Sequence, residues 1–133
     1  MRVDVGDGLA VEITINRQGN PPGKLADGSL YFTEGPLAGL CVLGFGVWER
    51  REQPSEINVT MPARQFMSKG EKRSFSLVRI DHDLDETQED KRTYYAPLDS
   101  LRRRFVQAYT TAVSAPVDED GDTRGDDDSD VGF

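Results

Sequence analysis

The chain has one cysteine, one histidine and one tryptophan, and it lacks a long hydrophobic run. A single cysteine, Cys41, excludes an intramolecular disulfide framework and favours a reducing compartment. The longest apolar run, residues 40–48, is too short to span a bilayer, and the first four residues already carry charge, unlike a signal peptide. These scarcities predict a soluble intracellular protein.

Residues that usually carry catalysis are also scarce. The only histidine, His82, lies in an acidic stretch, where a histidine is usually a solvated surface residue. Cys41 lies within an apolar strand without a nearby base in sequence, which favours a packing role. Gly44 and Gly46 do not form a dinucleotide-binding turn, and the sequence contains no phosphate loop and no zinc-ligand spacing. We therefore expect no enzyme activity, no cofactor and no metal site.

The acidic charge is concentrated at the end of the chain. Residues 116–133 hold eight acidic residues and one basic residue, about −7 of the net charge of −8. A segment with so much charge and so few apolar residues cannot offset the entropy lost when its backbone is ordered. The remaining 115 or so residues are enough for one domain with one modest core. The sequence predicts one folded domain, residues 1–115, and a disordered acidic tail, residues 116–133, that interacts with proteins.

Alternation of apolar and polar residues predicts a mainly antiparallel sheet. The predicted strands cover residues 9–16, 29–33, 40–50, 57–61 and 73–80. The third of these is apolar on both faces, as expected of a central strand covered on both sides or lying at a subunit contact. Gly44 and Gly46 within it suggest a bulge or the close approach of another part of the chain. Residues 67–72 are predicted to be a loop.

Apolar residues at helical intervals appear only near residue 100. A helix is predicted from residue 100 to about 113, with Asp99 as its N-cap. One face of this helix collects five apolar or aromatic residues. They are Leu101, Phe105, Ala108, Tyr109 and Ala112. The predicted fold class is therefore α+β: about five strands in a mainly antiparallel sheet, or an open barrel, with one C-terminal helix.

Basic residues interleaved with aromatic ones mark a candidate nucleic-acid surface. A single strand is bound by cations that follow its phosphates and by flat side chains on which its bases stack. The candidate phosphate contacts are Arg50, Arg51, Arg64, Lys69, Lys72, Arg73 and Arg79. The candidate stacking residues are Trp48, Phe66 and Phe75. Period-2 alternation places Arg73, Phe75, Leu77 and Arg79 on one face of a strand. Core positions for Trp48 and Phe75 remain the alternative.

Three further basic residues, Arg102 to Arg104, are consecutive on the predicted helix. Consecutive helical residues fan across about 200° of arc, so these three cannot all reach one groove. We expect them to form a solvated helix surface that partly neutralises the tail.

The end of the chain, DDDSDVGF at residues 126–133, resembles the C-terminal ends of bacterial and phage single-stranded DNA-binding proteins, which close on an acidic run and a final Phe. The resemblance implies a docking segment in which the terminal ring fills a small apolar pocket and the acids are drawn to surrounding Lys and Arg. The implied partner-binding residues are Asp126, Asp127, Asp128, Asp130 and Phe133. The alternative is a solubilising tail that happens to end in Phe.

The body of the chain carries a second resemblance. The segments GLCVLGFGVWER, INVTMPARQF and GEKRSF, followed by a final helix, resemble the stage V sporulation protein G family over residues 40–113. The chain departs from that pattern in an insert at residues 81–95 and in its acidic tail. The resemblance implies a nucleic-acid-binding protein that usually forms a dimer.

Both resemblances imply the same class of ligand. We expect sequence-tolerant binding of single-stranded DNA in replication, recombination or repair, in the cytoplasm of a bacterial cell or a phage-infected host cell. The protein is expected to be a homodimer or higher homo-oligomer without a membrane partner. Its tail is expected to recruit replication or recombination proteins and to mask the DNA site. Two alternatives remain: an acidic-tailed interaction module or DNA mimic that binds no DNA, and a regulator that binds duplex DNA.

Overall fold

A computed structural model describes residues 1–50, 52 and 56–115. The elements within these residues are β1 Arg2–Gly6, β2 Leu9–Ile15, β3 Lys24–Phe32, β4 Cys41–Glu49, β5 Ile57–Thr60, β6 Ala63–Ser68, β7 Glu71–Ser76 and α1 Lys91–Ser114. Strands β1 to β5 form an antiparallel sheet in sequence order, and β6 and β7 form a separate antiparallel hairpin. The predicted α+β class is confirmed. The five-stranded sheet is open and does not close into a barrel.

Helix α1 covers one face of the five-stranded sheet. Phe105 and Ala108 are fully buried, and the Phe105 ring stacks on Phe45 of β4 with 4.3 Å between ring centroids. The helix can approach this closely because Gly28 of β3 has no side chain: a Cβ there would lie 2.8 Å from Cε2 of Phe105. The predicted apolar face of the helix is confirmed, since Leu101 also packs against the core. The helix thus leaves the opposite face of the sheet open.

The helix begins nine residues earlier than predicted. Its N-cap is Asp90, whose carboxylate accepts a hydrogen bond from Thr93 N at 2.8 Å, so the predicted cap at Asp99 is wrong. Pro97 lies inside the helix. A proline ordinarily ends or kinks a helix because it lacks an N–H, which is why the sequence pattern pointed to a later start. Here the first turns are held by a side-chain contact, because the Tyr94 hydroxyl donates to the His82 carbonyl.

Strand β4 is not covered on both faces. Phe45 and Val47 are buried beneath the helix, whereas Leu43 is 59% exposed. Cys41 is exposed, so the packing role expected of its side chain is wrong. The expected irregularity is confirmed, since Gly44 has φ of 101° and the β3–β4 register shifts beside it. One apolar face of β4 therefore remains on the surface of the chain.

Two strands were absent from the sequence prediction. Strand β1 alternates Val3 and Val5 toward the core, but only five residues separate the N-terminus from the turn that follows. Strand β6 has no buried apolar face, since five of its six residues are exposed and the sixth, Ser68, is polar. The predicted loop at residues 67–72 is wrong because β6 and β7 continue through most of it.

Candidate nucleic-acid interface

The β6–β7 hairpin is closed by a two-residue turn. Ser68 pairs with Glu71, which leaves only Lys69 and Gly70 between the strands. Their φ angles are 52° and 78°, and two successive positive φ values are the signature of a type I′ turn. Glycine at the second turn position provides one of these conformations without steric cost. The turn thereby fixes the register of the whole hairpin.

The register places cations beside aromatic rings. Arg64 pairs with Phe75, and Phe66 pairs with Arg73. Paired residues lie on the same face of an antiparallel ladder, with Cβ atoms about 5 Å apart. Residues two apart along a strand also share a face, so all four side chains lie together. We call this surface, formed by Arg64, Phe66, Arg73 and Phe75, the hairpin face.

Both phenylalanines of the hairpin face are available to a ligand. Phe66 and Phe75 are each 44% exposed, and neither belongs to the core. The alternative placement of Phe75 in the core is therefore wrong. A two-stranded hairpin is at best marginally stable alone in water, and this one is tied to the domain at its base, where Leu77 N donates to Pro62 O at 2.9 Å. The rest of the hairpin projects from the domain.

Arg79 extends the hairpin face beyond the end of β7. Its guanidinium carbon lies 5.1 Å from the centre of the Phe75 ring, within the range of a cation–π contact. Arg79 thus lies beside Phe75, but β7 ends at Ser76, so the predicted strand over residues 73–80 is wrong beyond that residue, and Leu77 and Arg79 do not lie on a strand face with Arg73 and Phe75. Arg73 also lies 3.5 Å from Glu71, but both side chains are well exposed, and such a pair contributes only about 0–1 kcal/mol. A phosphate can therefore compete for this guanidinium.

An acidic loop borders the hairpin face at Arg79. His82 contacts two carboxylates, with Nδ1 2.7 Å from Asp81 and Nε2 3.2 Å from Glu89. Both ring nitrogens can donate only when the imidazole is protonated. The hydrogen bond with Asp81, followed by the negative charge of Glu89, accordingly raises the pKa of His82 above its ordinary value of 6.5. Partial burial raises the pKa of the neighbouring Tyr94. The negative potential of this loop marks the end of the basic surface.

The remaining predicted cations do not join the hairpin face. Lys72 pairs with Met67 on the opposite face of the hairpin, and Lys69 lies in the turn. Arg50 follows the far end of β4, where its guanidinium lies 3.2 Å from a Glu56 carboxylate oxygen. Arg51 lies outside the described residues, as do the tail residues Asp126, Asp127, Asp128, Asp130 and Phe133. The structure thus brings together Arg64, Arg73 and Arg79 and separates the others.

Trp48 lies on the open face of the five-stranded sheet, not in the core. Its indole N–H donates to the Thr60 hydroxyl at 3.0 Å, and its ring is half-buried. The Lys24 ammonium lies 5.7 Å from the ring centre. A core position for Trp48 is therefore wrong, and the side chain remains available for stacking on a surface separate from the hairpin face.

One helix arginine has a structural role that the sequence did not reveal. Arg104 donates to the carbonyl of Val5 and lies 2.6 Å from the Asp7 carboxylate. These contacts attach the helix to the turn between β1 and β2. The expectation that residues 102–104 form one solvated surface is wrong for Arg104. The sequence feature that could have indicated this contact is the Gly-Asp-Gly turn at residues 6–8, because its Asp7 needs a basic partner.

Two kinds of site are absent from the part of the chain that the structure describes. No group of three or more His, Cys, Asp or Glu side chains there has an arrangement suited to a metal ion. Nor is any helix in residues 1–50, 52 and 56–115 long and apolar enough to cross a membrane.

Comparison of the chain with protein-family models, curated proteins and solved structures finds no match.

Proposed function

We propose that this chain binds single-stranded DNA through the hairpin face, with little dependence on sequence. The observation that carries the proposal is the β6–β7 register, which sets Arg64 beside Phe75 and Phe66 beside Arg73. Phosphates need cations and unstacked bases need flat rings, and this register supplies both on one exposed surface. Replication, recombination and repair are the processes in which a sequence-tolerant single-strand binder acts.

The charge distribution supports a nucleic-acid ligand. Residues 63–80 hold five basic residues and one acidic residue, although residues 1–115 together carry a net charge of about −1. The positive potential is therefore local to the hairpin. A projecting element with positive potential attracts a polyanion and raises its rate of association.

The acidic segment, residues 116–133, extends the proposal. Its charge of about −7 is opposite in sign to that of the hairpin face. We propose that it competes with DNA for this face when no DNA is bound, and that its end recruits partner proteins through Phe133 and the preceding aspartates. Replacing Asp126, Asp127 and Asp128 with asparagine in the full chain should then tighten DNA binding at low salt. Unchanged affinity would contradict the masking role.

The direct test is fluorescence anisotropy of a labelled oligo-dT of about 30 nucleotides, longer than the 4–16 nucleotides that a single small domain covers. Phe66→Ala and Phe75→Ala should each weaken binding about 5- to 150-fold, because one base stack contributes about 1–3 kcal/mol. Met67→Ala is the control, since Met67 is also an exposed apolar side chain but lies on the opposite face of the same hairpin. Equal losses in all three variants would contradict the assignment of the face.

Strand preference separates the proposal from its alternatives. A stacking site requires bases that are not paired, so the protein should prefer the single strand over a duplex of the same length. Preference for the duplex would instead favour a two-stranded ribbon inserted in the major groove, which is wide enough to admit one. Absence of binding to either at low salt would leave the acidic-tailed interaction module as the better hypothesis.

A further inference from the structure

A shallow groove of about 500 Å³ crosses the open face of the five-stranded sheet. We call it the Trp48 groove. Its polar and aromatic side chains include Lys24, Asp27, Trp48 and Thr60. None of them belongs to the hairpin face.

The Trp48 ring lies across Gly46, which has no side chain to block it. A Cβ at Gly46 would lie 2.6 Å from Trp48 Nε1 and 2.9 Å from Thr60 Oγ1, so only glycine leaves room for the ring. The hydrogen bond from the indole N–H to Thr60 Oγ1 then fixes the orientation of the ring. The ring is therefore a preorganised platform, which lowers the entropy cost of stacking a ligand on it.

The polar wall of the groove comes from β3. Asp27 pairs with Gly46 across the β3–β4 ladder, which places Asp27 beside the indole on the same face of the sheet. Lys24 forms a salt bridge with Asp27 and lies 5.7 Å from the indole centre. A cationic donor and a carboxylate acceptor thus stand next to each other at the edge of the aromatic platform.

We propose that the Trp48 groove binds a guanine base, with the indole as the stacking surface and the Asp27 carboxylate as acceptor for guanine N1–H and N2–H. Of the four bases, guanine alone presents two adjacent N–H donors on its Watson–Crick edge, and these match the two oxygens of a carboxylate. Its O6 acceptor lies next to them, where the Lys24 ammonium can donate. Adenine and cytosine each offer one such donor group beside an acceptor, and thymine offers one N–H between two acceptors, so none of them can satisfy both carboxylate oxygens.

The groove adjoins the proposed DNA-binding hairpin. Ala63, the first residue of β6, lines the groove, and Pro62 lies against Gly44 at the same end of β4. Ala63 belongs to the side of the hairpin that carries Met67 and Lys72, so a single strand bound to the hairpin face would cross the base of the hairpin to place one of its bases in the groove. In this respect the inference rests on the proposed function, and it adds a preference for guanine at one position of an otherwise sequence-tolerant site.

The chain itself supplies the reporter, because Trp48 is its only tryptophan. Titration of the full-length protein with 5′-GMP should quench Trp48 fluorescence, with free N-acetyltryptophanamide correcting for absorption by the nucleotide. The half-saturating concentration should be at least about 5-fold lower for GMP than for AMP, CMP or TMP, in line with the discrimination of a bidentate contact. Asp27→Asn should abolish this preference.

The control is Glu49→Gln, because Glu49 follows Trp48 directly and its side chain points to the other face of β4. This variant should keep the preference for GMP. Equal quenching by all four nucleotides, or an unchanged preference in Asp27→Asn, would overturn the proposal, and so would the absence of quenching by any of them.

Failure of this inference and failure of the proposed function give different results. If the groove binds guanine and the hairpin does not bind DNA, GMP quenches while oligo-dT anisotropy shows no binding. If the hairpin binds DNA and the groove does not bind guanine, oligo-dT binds and GMP does not quench. GMP titration reports the groove alone, since the fluorescence that it quenches is that of Trp48.

Discussion

Removal of two arginines from the hairpin face should change how DNA affinity depends on salt. Arg64 and Arg73 lie on this face, with Arg79 beyond them, whereas Lys69 and Lys72 lie in the turn and on the opposite face. For a single strand, the logarithm of affinity falls with the logarithm of salt by about 0.7 for each phosphate neutralised. The double variant Arg64→Gln/Arg73→Gln should therefore lower the slope by about 1.4.

This change in slope converts into a measurable ratio. Between about 50 and 200 mM salt, a slope difference of 1.4 corresponds to a roughly 7-fold smaller loss of affinity in the variant than in the wild type. The ratio does not depend on how many other cations contact the DNA, because their contribution is common to both proteins. Anisotropy titrations of oligo-dT at four or five salt concentrations measure it, and far-UV circular dichroism checks that the variant is folded.

The matched control removes the same charge from the same hairpin. Lys69→Gln/Lys72→Gln lowers the net charge by the same two units, but at positions off the hairpin face. Its slope should stay close to that of the wild type. Equal flattening of the slope in both double variants would mean that the DNA responds to total charge and not to this face. A larger effect from the lysines would place the DNA on the opposite face.

Three further predictions concern the fold and the bordering loop. Gly28→Ala should lower the free energy of unfolding by about 1–3 kcal/mol in urea, because the added Cβ would overlap the ring edge of the buried helix phenylalanine; unchanged stability would contradict this helix position. Asp90→Ala should cost about 1 kcal/mol by removing the N-cap, whereas Asp99→Ala, within the helix, should cost no more than about 0.5 kcal/mol, and equal costs would contradict the cap. NMR titration of His82 should give a pKa above 6.5 that falls in Asp81→Asn. Because the folded pKa is raised, the stabilisation is full below the ordinary pKa and is lost as pH rises through the folded value; a midpoint at or below 6.5 would contradict the contacts.

Where the apolar face of an element is long enough to show its period, the sequence was sufficient to predict the element; β1, with only Val3 and Val5 on its core face, was too short. Alternation located β2 and β5, and the apolar stripe of α1 contained both of its buried residues, Phe105 and Ala108. Where an element has no buried apolar face, the alternation of apolar and polar residues did not predict it. Strand β6 is exposed along nearly its whole length and is defined by the ladder it forms with β7 and by the Lys69-Gly70 turn. Its stability depends on pairing, which periodicity does not report.

The candidate site, too, was predicted from the sequence only in part. Composition alone identified residues 64–79 as basic and aromatic, but only the register shows that Arg64 and Arg73 share a face while Lys72 does not. Because β4 is apolar on both faces, the sequence did not determine on which face of the sheet Trp48 lies. Gly46 was the available signal, because a glycine two residues before a tryptophan on the same face leaves room for the ring to fold across it.

The two proposed surfaces make different kinds of contact with DNA, and these contacts respond differently to salt concentration. Contacts to phosphates position a nucleic acid and weaken as salt rises, whereas contacts to base edges specify sequence. The hairpin face contributes guanidinium groups on a projecting element, and the Trp48 groove contributes a stacked ring and a carboxylate on the sheet. If both proposals hold, raising salt lowers affinity for every oligonucleotide but leaves the ratio between a guanine-containing strand and oligo-dT nearly unchanged.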